Sequence, residues 1–395
     1  MKQERLRENA RIALRMSDIQ PFHVMELLAR ARALEAQGRS IVHMEIGEPD
    51  FPSPQPVIAA GMEALKRGNI HYSPALGLPQ LREAIAGFYM QRHGLRVSPS
   101  RIVVTPGASG ALLLALGILI NPGDKVLMSD PGYPCNRHFV RLLEGVAAGI
   151  GTDATTGYQL THELIAQYWD RATTAVMIAS PANPTGTLVS REQLHAIVEK
   201  THALRGRLIV DEIYHGLVYE SETTTALSLS DEVFVINSFS KYFGMTGWRL
   251  GWLVAPEAYV READKLAQNI FLAASTPAQY AALAAFAPET LRILEERRSE
   301  FRRRRDYLLP ALRNLGFVIP ATAQGAFYLY ADCSRFGSDS ETFARELLEH
   351  AGVAVTPGID FGKHQASRHV RFAYTTSLEN LREGVRRLEA FLRKS

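Results

Sequence analysis

The sequence predicts an α/β protein: a large domain with a mostly parallel sheet covered by helices on both faces, plus a smaller α+β domain formed by both chain ends. Up to Pro288, apolar strand-like runs alternate with helical patterns, which is typical of parallel sheets. These runs are short and apolar throughout, as strands with helices on both faces should be. At 395 residues the chain is also longer than one hydrophobic core usually serves, so we expect two domains.

Six apolar runs are predicted as strands of the large sheet. They cover residues 101–105, 125–129, 175–180, 207–211, 233–237 and 250–255. Helix-like segments separate the first five runs, near residues 109–120, 136–144, 191–204 and 212–218. A strand, a crossing helix and a second strand form the unit that places parallel strands side by side.

The smaller domain is predicted to begin with a long amphipathic helix after Pro288. Apolar residues recur there at helical spacing, at Leu291, Leu294, Phe301 and Leu308. The arginine run 302–305 is interpreted as a solvated face of this helix. Short strands follow at 326–331, 353–357 and 369–374, and a helix at 22–38 is expected to pack with them. The predicted divisions are an N-terminal arm with part of the small domain (1–48), the large domain (49–288) and the small C-terminal domain (289–395).

Composition narrows the class of protein. A net charge of +3 is too balanced to favour nucleic acid as a partner. The two cysteines, Cys135 and Cys333, are far apart in the sequence and form neither a disulfide framework nor a metal-ligand pattern. The most apolar stretch, 111–120, is shorter than the roughly 20 residues of a membrane span. Because the N-terminal residues are charged and lack a signal core, we expect a cytoplasmic protein without a membrane partner.

Three predicted strands end in segments that could bind a ligand, since open α/β sheets bind ligands beyond the carboxyl ends of their strands. The segment 106–110, "PGASG", leaves backbone N–H groups free for an anion at a helix N-terminus. Tyr133 follows the second run and could stack on a flat ring, and Asn183 presents an amide after the third. Taken singly, a tight turn, a packing tyrosine and a plain turn are the preferred interpretations of these residues.

Two charged residues follow the next strands. Asp211 ends an apolar strand, where a carboxylate either needs a cationic partner or caps the following helix. Lys241 follows the run 233–237, and a partly desolvated amine there has a lowered pKa and becomes nucleophilic. A lysine that extends its charged end to solvent is the alternative. Only eight of the 44 basic residues are lysines, so a lysine in an apolar setting is notable. Reactive or ligand-binding groups follow five successive predicted strands, and together they indicate one ligand site.

Taken together, these residues resemble the class I, aspartate aminotransferase-like, pyridoxal-phosphate-dependent aminotransferases of fold type I, in their bacterial branch of broad specificity. The matching motifs run in the family's order over nearly the whole chain. They are "IGEPDF" (46–51), "YSPALGLPQLREAIA" (72–86), "VTPGASGAL" (104–112), "PGYP" (131–134), "NPTG" (183–186), "DEIY" (211–214), "SFSKYFGMTGWRLGW" (238–252) and "RFAY" (371–374). The resemblance implies a seven-stranded sheet, pyridoxal 5'-phosphate as cofactor and a homodimer.

The resemblance assigns three catalytic residues and a stacking ring. Lys241 would hold the cofactor aldehyde as a Schiff base and later move the proton between the substrate Cα and the cofactor. Asp211 would pair with the pyridine nitrogen and keep it protonated. Tyr214 and Asn183 would donate hydrogen bonds to the phenolate oxygen, and Tyr133 would stack on the ring.

The cofactor's phosphate has its own set of implied contacts. The backbone of Ala108 and Ser109 would bind it at the helix N-terminus, and Ser238 and Arg249 would add side-chain contacts. An arginine suits this place because its planar fork matches phosphate oxygens. Tyr72 would reach the phosphate of the neighbouring subunit, so the resemblance implies active sites shared across the homodimer.

The substrate is expected to bind through its α-carboxylate. Arg371 would grip that carboxylate with its guanidinium fork, and Gly47 and Asn183 would lie close to it. Phe22 and Phe361 fall in segments that border the substrate in this family.

The chain also departs from one branch of the family. Tyr133 stands where the aspartate-specific branch of animals carries tryptophan, and no residue matches the second arginine of that branch. Arg137 could reach a distal carboxylate, but a surface residue of a helix is the preferred interpretation.

The predicted reaction moves an amino group between an L-amino acid and a 2-oxo acid, 2-oxoglutarate or pyruvate, by a ping-pong mechanism. A carbon–sulfur β-lyase on the same fold is the alternative, since it would use the same Lys241 and Asp211. A non-catalytic pyridoxal-phosphate-binding regulator is less well supported, because all the catalytic positions are intact. The sequence does not identify the amino donor.

Overall fold

The computed structural model describes residues 11–68, 70–337 and 339–394. The strands are β1 (Val42–His43), β2 (Ile102–Thr105), β3 (Lys125–Asp130), β4 (Val146–Gly151), β5 (Thr173–Ala179), β6 (Arg207–Asp211), β7 (Phe234–Ser238), β8 (Gly251–Val254), β9 (Tyr328–Asp332), β10 (Val353–Ala354), β11 (Thr356–Pro357) and β12 (His369–Ala373). The α-helices are α1 (His23–Ala36), α2 (Gln55–Arg67), α3 (Pro79–His93), α4 (Gly107–Leu119), α5 (Pro134–Leu142), α6 (His162–Tyr168), α7 (Arg191–Ala203), α8 (Glu257–Ile270), α9 (Thr276–Leu283), α10 (Pro288–Asn314), α11 (Ser340–Glu346) and α12 (Leu378–Leu392). Within these described ranges, no helix has both the length and the apolar character needed to cross a membrane.

The central sheet has seven strands in the order β2-β8-β7-β6-β5-β3-β4. Strands β3 to β7 pair in parallel, and β8 alone runs antiparallel to its neighbours β2 and β7. The predicted mostly parallel, seven-stranded sheet is therefore confirmed. All of its strands except β8 consequently present their carboxyl ends at the same edge of the sheet.

Helices cover both faces of this sheet, and the strand residues show why. Alternate side chains of a strand point to opposite faces. Val103 and Ile209 pack into a cluster with apolar residues of α4 and α8, whereas Val104 and Val210 pack into the cluster on the other face. Both clusters consist of apolar side chains, which explains why the strands read as continuous apolar runs.

The six predicted strands are confirmed, but two features of the large sheet differ from expectation. Strand β4 was not predicted because alanine and glycine fill most of it, and Ile150 is its only buried residue. The predicted helix at 212–218 is wrong: within it the chain forms only a 3₁₀ turn, His215–Leu217. This turn leaves the residues after Asp211 close to the strand end.

The smaller α+β part unites both chain ends, as predicted. Strand β1 pairs in parallel with β10, with Val42 opposite Val353, and β11, β12 and β9 form an antiparallel sheet. Helix α1 packs against this part through Ala31 and Leu34, which contact Leu348 in an apolar cluster. Helix α10 is one long helix, as its periodicity predicts. The boundaries at residues 48 and 288 stay predictions.

The interpretation of the arginine run 302–305 as a solvated helix face is wrong for two of its members. Arg304 and Arg305 are 3% and 5% exposed. Arg304 donates to both carboxylate oxygens of Asp50 (2.8 and 3.1 Å), and Arg305 Nη1 donates to Glu220 (2.8 Å). These partly buried pairs anchor α10 to segments that are distant in sequence. The sequence pattern alone does not reveal this use.

Candidate active site

Five of the predicted site residues lie at or just after the carboxyl ends of strands of the central sheet. Asp211 ends β6, and Lys241 lies just after β7. Asn183 and Tyr133 follow β5 and β3, and Ala108 lies in the first turn of α4 after β2. Because these five strands run in the same direction in one sheet, their carboxyl ends lie at one edge that carries all five residues.

Lys241 is positioned by a turn directly after the buried strand β7. Its Nζ donates to the carbonyl oxygen of Gly47 (2.7 Å) and lies 5.8 Å from the centre of the Phe327 ring. Burial lowers the pKa of the Lys241 amine to about 8, although the nearby carboxylates of Glu48 and Asp211 favour its charged form. A substantial fraction of this amine is therefore neutral near pH 8 and can act as nucleophile or base.

Asp211 is buried, and 7% of it is exposed. Its Oδ1 accepts a hydrogen bond from the backbone N–H of Ile213 (3.0 Å). Burial nevertheless raises the pKa of this carboxyl to about 6, against the influence of that hydrogen bond and of Lys241. No ion pair within the described chain involves Asp211, so the site has a place for a cationic group of a ligand.

Arg371 carries a second buried charge, and 4% of it is exposed. Its Nη1 donates to Asn183 Oδ1 (2.9 Å), and its Nη2 donates to Thr356 Oγ1 (3.2 Å) and to the backbone oxygen of Glu45. Its Nε has no partner in the described part of the chain, where no carboxylate forms an ion pair with Arg371. A ligand carboxylate fits this unneutralised guanidinium.

Tyr214 is a buried phenol within electrostatic range of Arg371. Its hydroxyl is 2.9 Å from the hydroxyl of Tyr328, and both side chains are buried. Burial raises the pKa of Tyr214 well above its usual value, so the phenol stays protonated and can donate a hydrogen bond.

The start of α4 forms an anion-binding end of the site. Gly107 has φ +70°, and a Cβ there would lie 2.7 Å from Arg249 Nη2. A Cβ at Gly251 would lie 2.7 Å from the backbone nitrogen of Ala108. The two glycines therefore let Arg249 and the first N–H groups of the helix approach each other, with the exposed Ser109 beside them.

Ser238 is fully enclosed at this end of the site. Its Oγ lies 3.1 Å from the carbonyl oxygen of Leu250 and 3.0 Å from Ser240 Oγ, and it accepts from the backbone N–H of Ser240 (3.0 Å). These protein contacts occupy its hydroxyl, so its contact with a phosphate stays a prediction.

Aromatic residues pack beside a cavity next to the predicted site residues. The rings of Phe22 and Tyr133 meet edge to face with centroids 6.5 Å apart. Burial raises the pKa of Tyr133 well above its usual value. Tyr133 also lines a cavity of about 910 Å³, together with Asn183 and Phe361.

Arg137 lies in the wall of this cavity rather than on a solvated helix face. It is half-buried, and its Nη2 donates to the backbone oxygen of Asp360 (2.9 Å). The preferred interpretation as a surface residue is therefore corrected. The neighbouring Asn136 is buried, and its Oδ1 has no hydrogen-bond partner among the described residues.

Tyr72 is separate from the residues above. Its side chain is 86% exposed, and no hydrogen bond, ion pair or ring contact within the described ranges involves it. Its predicted contact with a neighbouring subunit stays a prediction.

The sequence reasoning missed Tyr328, Ser240 and Thr356, all of which contact predicted site residues. Tyr328 had a usable signal. In the predicted strand 326–331, tyrosines occupy alternate positions, and alternate residues of a strand share one face. Ser240 and Thr356 become recognisable only through contacts between distant segments.

Comparison with known proteins places this site in a family. Residues 39–388 match the family described as "Aminotransferase class I and II". The chain is 40% identical to the valine–pyruvate aminotransferase of Mycobacterium tuberculosis, over 97% of this chain and 98% of that protein. It is 37% identical to the (5-formylfuran-3-yl)methyl phosphate transaminase of Methanocaldococcus jannaschii, over 97% of this chain and 100% of the relative.

The fold is likewise shared with a solved enzyme of this family. The structure of Thermus thermophilus aspartate aminotransferase with maleate superposes with a TM-score of 0.91 at 34% identity. The alignment covers 97% of this chain and 99% of that one. Family match, full-length relatives and fold agree, and the chain therefore belongs to the class I pyridoxal-phosphate-dependent aminotransferases and is a transaminase.

Proposed function

We propose that the chain binds pyridoxal 5'-phosphate at this site and transfers an amino group from an L-amino acid to 2-oxoglutarate or pyruvate by a ping-pong mechanism. The observation that carries the proposal is the pairing of a partly buried, poorly basic lysine, Lys241, with a buried carboxyl, Asp211, at adjacent strand ends. When bound, the cofactor supplies an electron-accepting ring that stabilises negative charge at the substrate Cα.

The residues present fit this cofactor. Asp211 lacks a cationic partner in the described chain, and a protonated ring nitrogen would provide one. The glycine-lined start of α4 and the guanidinium of Arg249 fit a phosphate, whose further contacts would come from Ser109 and Ser238. The ring would lie against Tyr133, and Asn183 and Tyr214 would donate to its oxygen.

Lys241 has the properties that proton transfer at the substrate requires. With a pKa near 8, its amine can take a proton and return it close to neutral pH. Its hydrogen bond to Gly47 O directs the amine toward the segment that also borders Arg371 through Glu45. The amine and the carboxylate-binding guanidinium are thereby held on two sides of one space.

Arg371 would orient the substrate through its α-carboxylate. The hydrogen bonds to Asn183 and Thr356 fix the plane of the guanidinium before the substrate arrives, which reduces the entropy cost of binding. The cavity beyond Tyr133 and Phe361 would receive the side chain of the amino acid, with Arg137 in its wall.

The test is reconstitution with the cofactor, followed by a panel of L-amino acids with pyruvate and 2-oxoglutarate as acceptors. We expect a visible absorbance band that each accepted amino acid converts, and parallel double-reciprocal plots that indicate ping-pong kinetics. Lys241→Ala should remove the band and reduce turnover at least about 1,000-fold, whereas Lys265→Ala at an exposed position should change neither. Turnover of cystathionine to pyruvate without a 2-oxo acid would instead support the lyase and overturn the proposal.

A further inference from the structure

Tyr328 contacts several residues of the site, although it lies outside the motifs on which the family resemblance rests. It is the first residue of β9, and 1% of it is exposed. It contacts three residues to which the proposed function gives separate tasks: Tyr214, Arg371 and Gly47. Any task assigned to Tyr328 through these contacts rests on that proposed function.

The first contact joins two phenols. The hydroxyl oxygens of Tyr328 and Tyr214 are 2.9 Å apart, and each phenol has one proton to donate. Burial raises the pKa of Tyr328, so its proton stays in place. If Tyr214 donates to the cofactor oxygen, it must accept from Tyr328. A donor that also accepts a hydrogen bond becomes a stronger donor, because chained hydrogen bonds polarise one another.

The second contact fixes the guanidinium of Arg371. Its Cζ lies 4.3 Å from the ring centre of Tyr328 and 4.8 Å from that of Phe361. The rings thus flank the guanidinium, while Asn183 and Thr356 bind its edge. An arginine held in this manner keeps one orientation for its free donors, including the unpartnered Nε.

The third contact explains the glycine at position 47. A Cβ on Gly47 would lie 1.8 Å from the hydroxyl oxygen of Tyr328, so the phenol occupies the space of a side chain there. The backbone of Gly47 in turn accepts from Lys241. The position of the Tyr328 hydroxyl therefore requires glycine beside the catalytic lysine.

We propose that Tyr328 is a positioning residue with two separable tasks: its hydroxyl strengthens Tyr214 as a donor to the cofactor oxygen, and its ring holds Arg371 ready for the substrate carboxylate. Removing the hydroxyl should act on the cofactor, and removing the ring should act on substrate binding. Phenylalanine and leucine distinguish these tasks, because only phenylalanine keeps the ring.

The experiment compares Tyr328→Phe and Tyr328→Leu, each loaded with pyridoxal phosphate, by pH titration of the visible absorbance. Donation to the cofactor oxygen favours the deprotonated form of the lysine-bound cofactor, so weaker donation should raise the midpoint. We expect both variants to shift the midpoint upward by about half a pH unit. In a Tyr214→Phe background, Tyr328→Phe should cause no further shift, since its effect passes through Tyr214.

The second readout is the KM for the 2-oxo acid, either pyruvate or 2-oxoglutarate, that the wild-type protein uses more efficiently. Tyr328→Phe should leave it within about twofold, and Tyr328→Leu should raise it about tenfold. Thermal melting of the cofactor-free variants identifies any that fail to fold, in which case Tyr328→Phe alone decides. An unshifted midpoint in Tyr328→Phe, or equal KM values for the two variants, would overturn this inference alone. Wild-type protein that acquires no visible band would overturn the proposed function and this inference together.

Discussion

At the scale of single residues, the site combines two buried charged groups, Asp211 and Arg371, with the partly buried Lys241, an arrangement that would be costly without a ligand. Lys241 and Asp211 both have pKa values shifted toward their neutral forms by burial, and Arg371 lacks a carboxylate partner among the described residues. Without a ligand, burial makes the charged forms of these side chains costly in free energy. Binding of a ligand with opposite charges offsets that cost. Stability and function should therefore conflict at these positions.

Asp211→Asn tests this conflict. The folded-state pKa of Asp211 is raised to about 6, so the cost of its ionised form is absent below pH 3.8 and fully present above pH 6. We expect the asparagine variant of the cofactor-free chain to melt about 2–4 °C higher than wild type at pH 7.5. The hydrogen bond from Ile213 is retained, because the amide oxygen still accepts it.

The pH dependence supplies the control for Asp211→Asn. At pH 4.5 both side chains are largely neutral, and the difference in melting temperature should shrink. The same variant should bind pyridoxal phosphate more weakly, because an amide does not pair with a protonated ring nitrogen. An equal difference at both pH values would show that ionisation of Asp211 is not its cause.

Arg371→Lys tests the forked grip on the substrate. An ammonium cannot reproduce the planar contacts with Asn183 and Thr356 or lie flat between two rings. We expect KM values for both amino donor and 2-oxo acid to rise about tenfold or more, with a smaller fall in kcat. Arg368→Lys, at a position 53% exposed, is the matched control. Unchanged KM values in Arg371→Lys would exclude the proposed role.

At the scale of secondary structure, the segment after β1 links the small domain to the site. The backbone oxygen of Glu45 accepts from Arg371, and its fully buried carboxylate pairs with His43 Nδ1 (2.7 Å). The other ring nitrogen of His43 contacts Glu35 (3.1 Å) on α1. This chain of contacts ties α1 to the segment whose backbone accepts from the guanidinium of Arg371.

His43→Gln tests the contribution of this chain of contacts. The hydrogen bond with Glu45 is the main cause that raises the pKa of His43 to about 9. The stabilisation is therefore fully present below pH 6.5 and is lost as the pH rises through 9. Allowing for partial solvent exposure, we expect it to be about 1–2 kcal/mol, or about 2 °C in melting temperature at pH 6.5.

The comparison at pH 10 completes this experiment. There His43 is neutral, and wild type and His43→Gln should melt within about 1 °C of each other. The exposed His195→Gln should match wild type at both pH values. A penalty for His43→Gln that persists at pH 10 would assign the effect to packing instead of charge.

The elements and site residues that could be predicted are those that a local sequence pattern encodes. Strands such as β6 and β7 carry continuous apolar runs, and the residues that follow them have turn signals, so their positions at one sheet edge could be predicted. Strand β4 lacks such a run because it lies at the sheet edge with one buried residue. The partners of Arg304 and Tyr328 come from distant segments, and no local pattern encodes those contacts.

At the scale of the whole molecule, the predicted site residue Tyr72 has no contact with the other site residues among the described residues of its own chain. Tyr72 lies in the connection between α2 and α3 and is almost fully exposed, with no contacts of its hydroxyl in the described ranges. The family resemblance assigns it to the phosphate site of a neighbouring subunit. If so, each active site needs Lys241 from one chain and Tyr72 from the other.

Subunit complementation tests this arrangement. Tyr72→Ala and Lys241→Ala should each have low activity as separate proteins. After the two are unfolded and refolded together, half of the dimers should be mixed, and one of their two sites combines intact Lys241 with the intact Tyr72 of its partner. For a closed, symmetric dimer we expect recovery of about a quarter of wild-type activity.

Sedimentation at the assay concentration establishes that dimers form. Dimers that exchange subunits without any gain over the Tyr72→Ala protein alone would place Tyr72 outside the partner's site, because a tyrosine acting within its own chain leaves both sites of a mixed dimer incomplete.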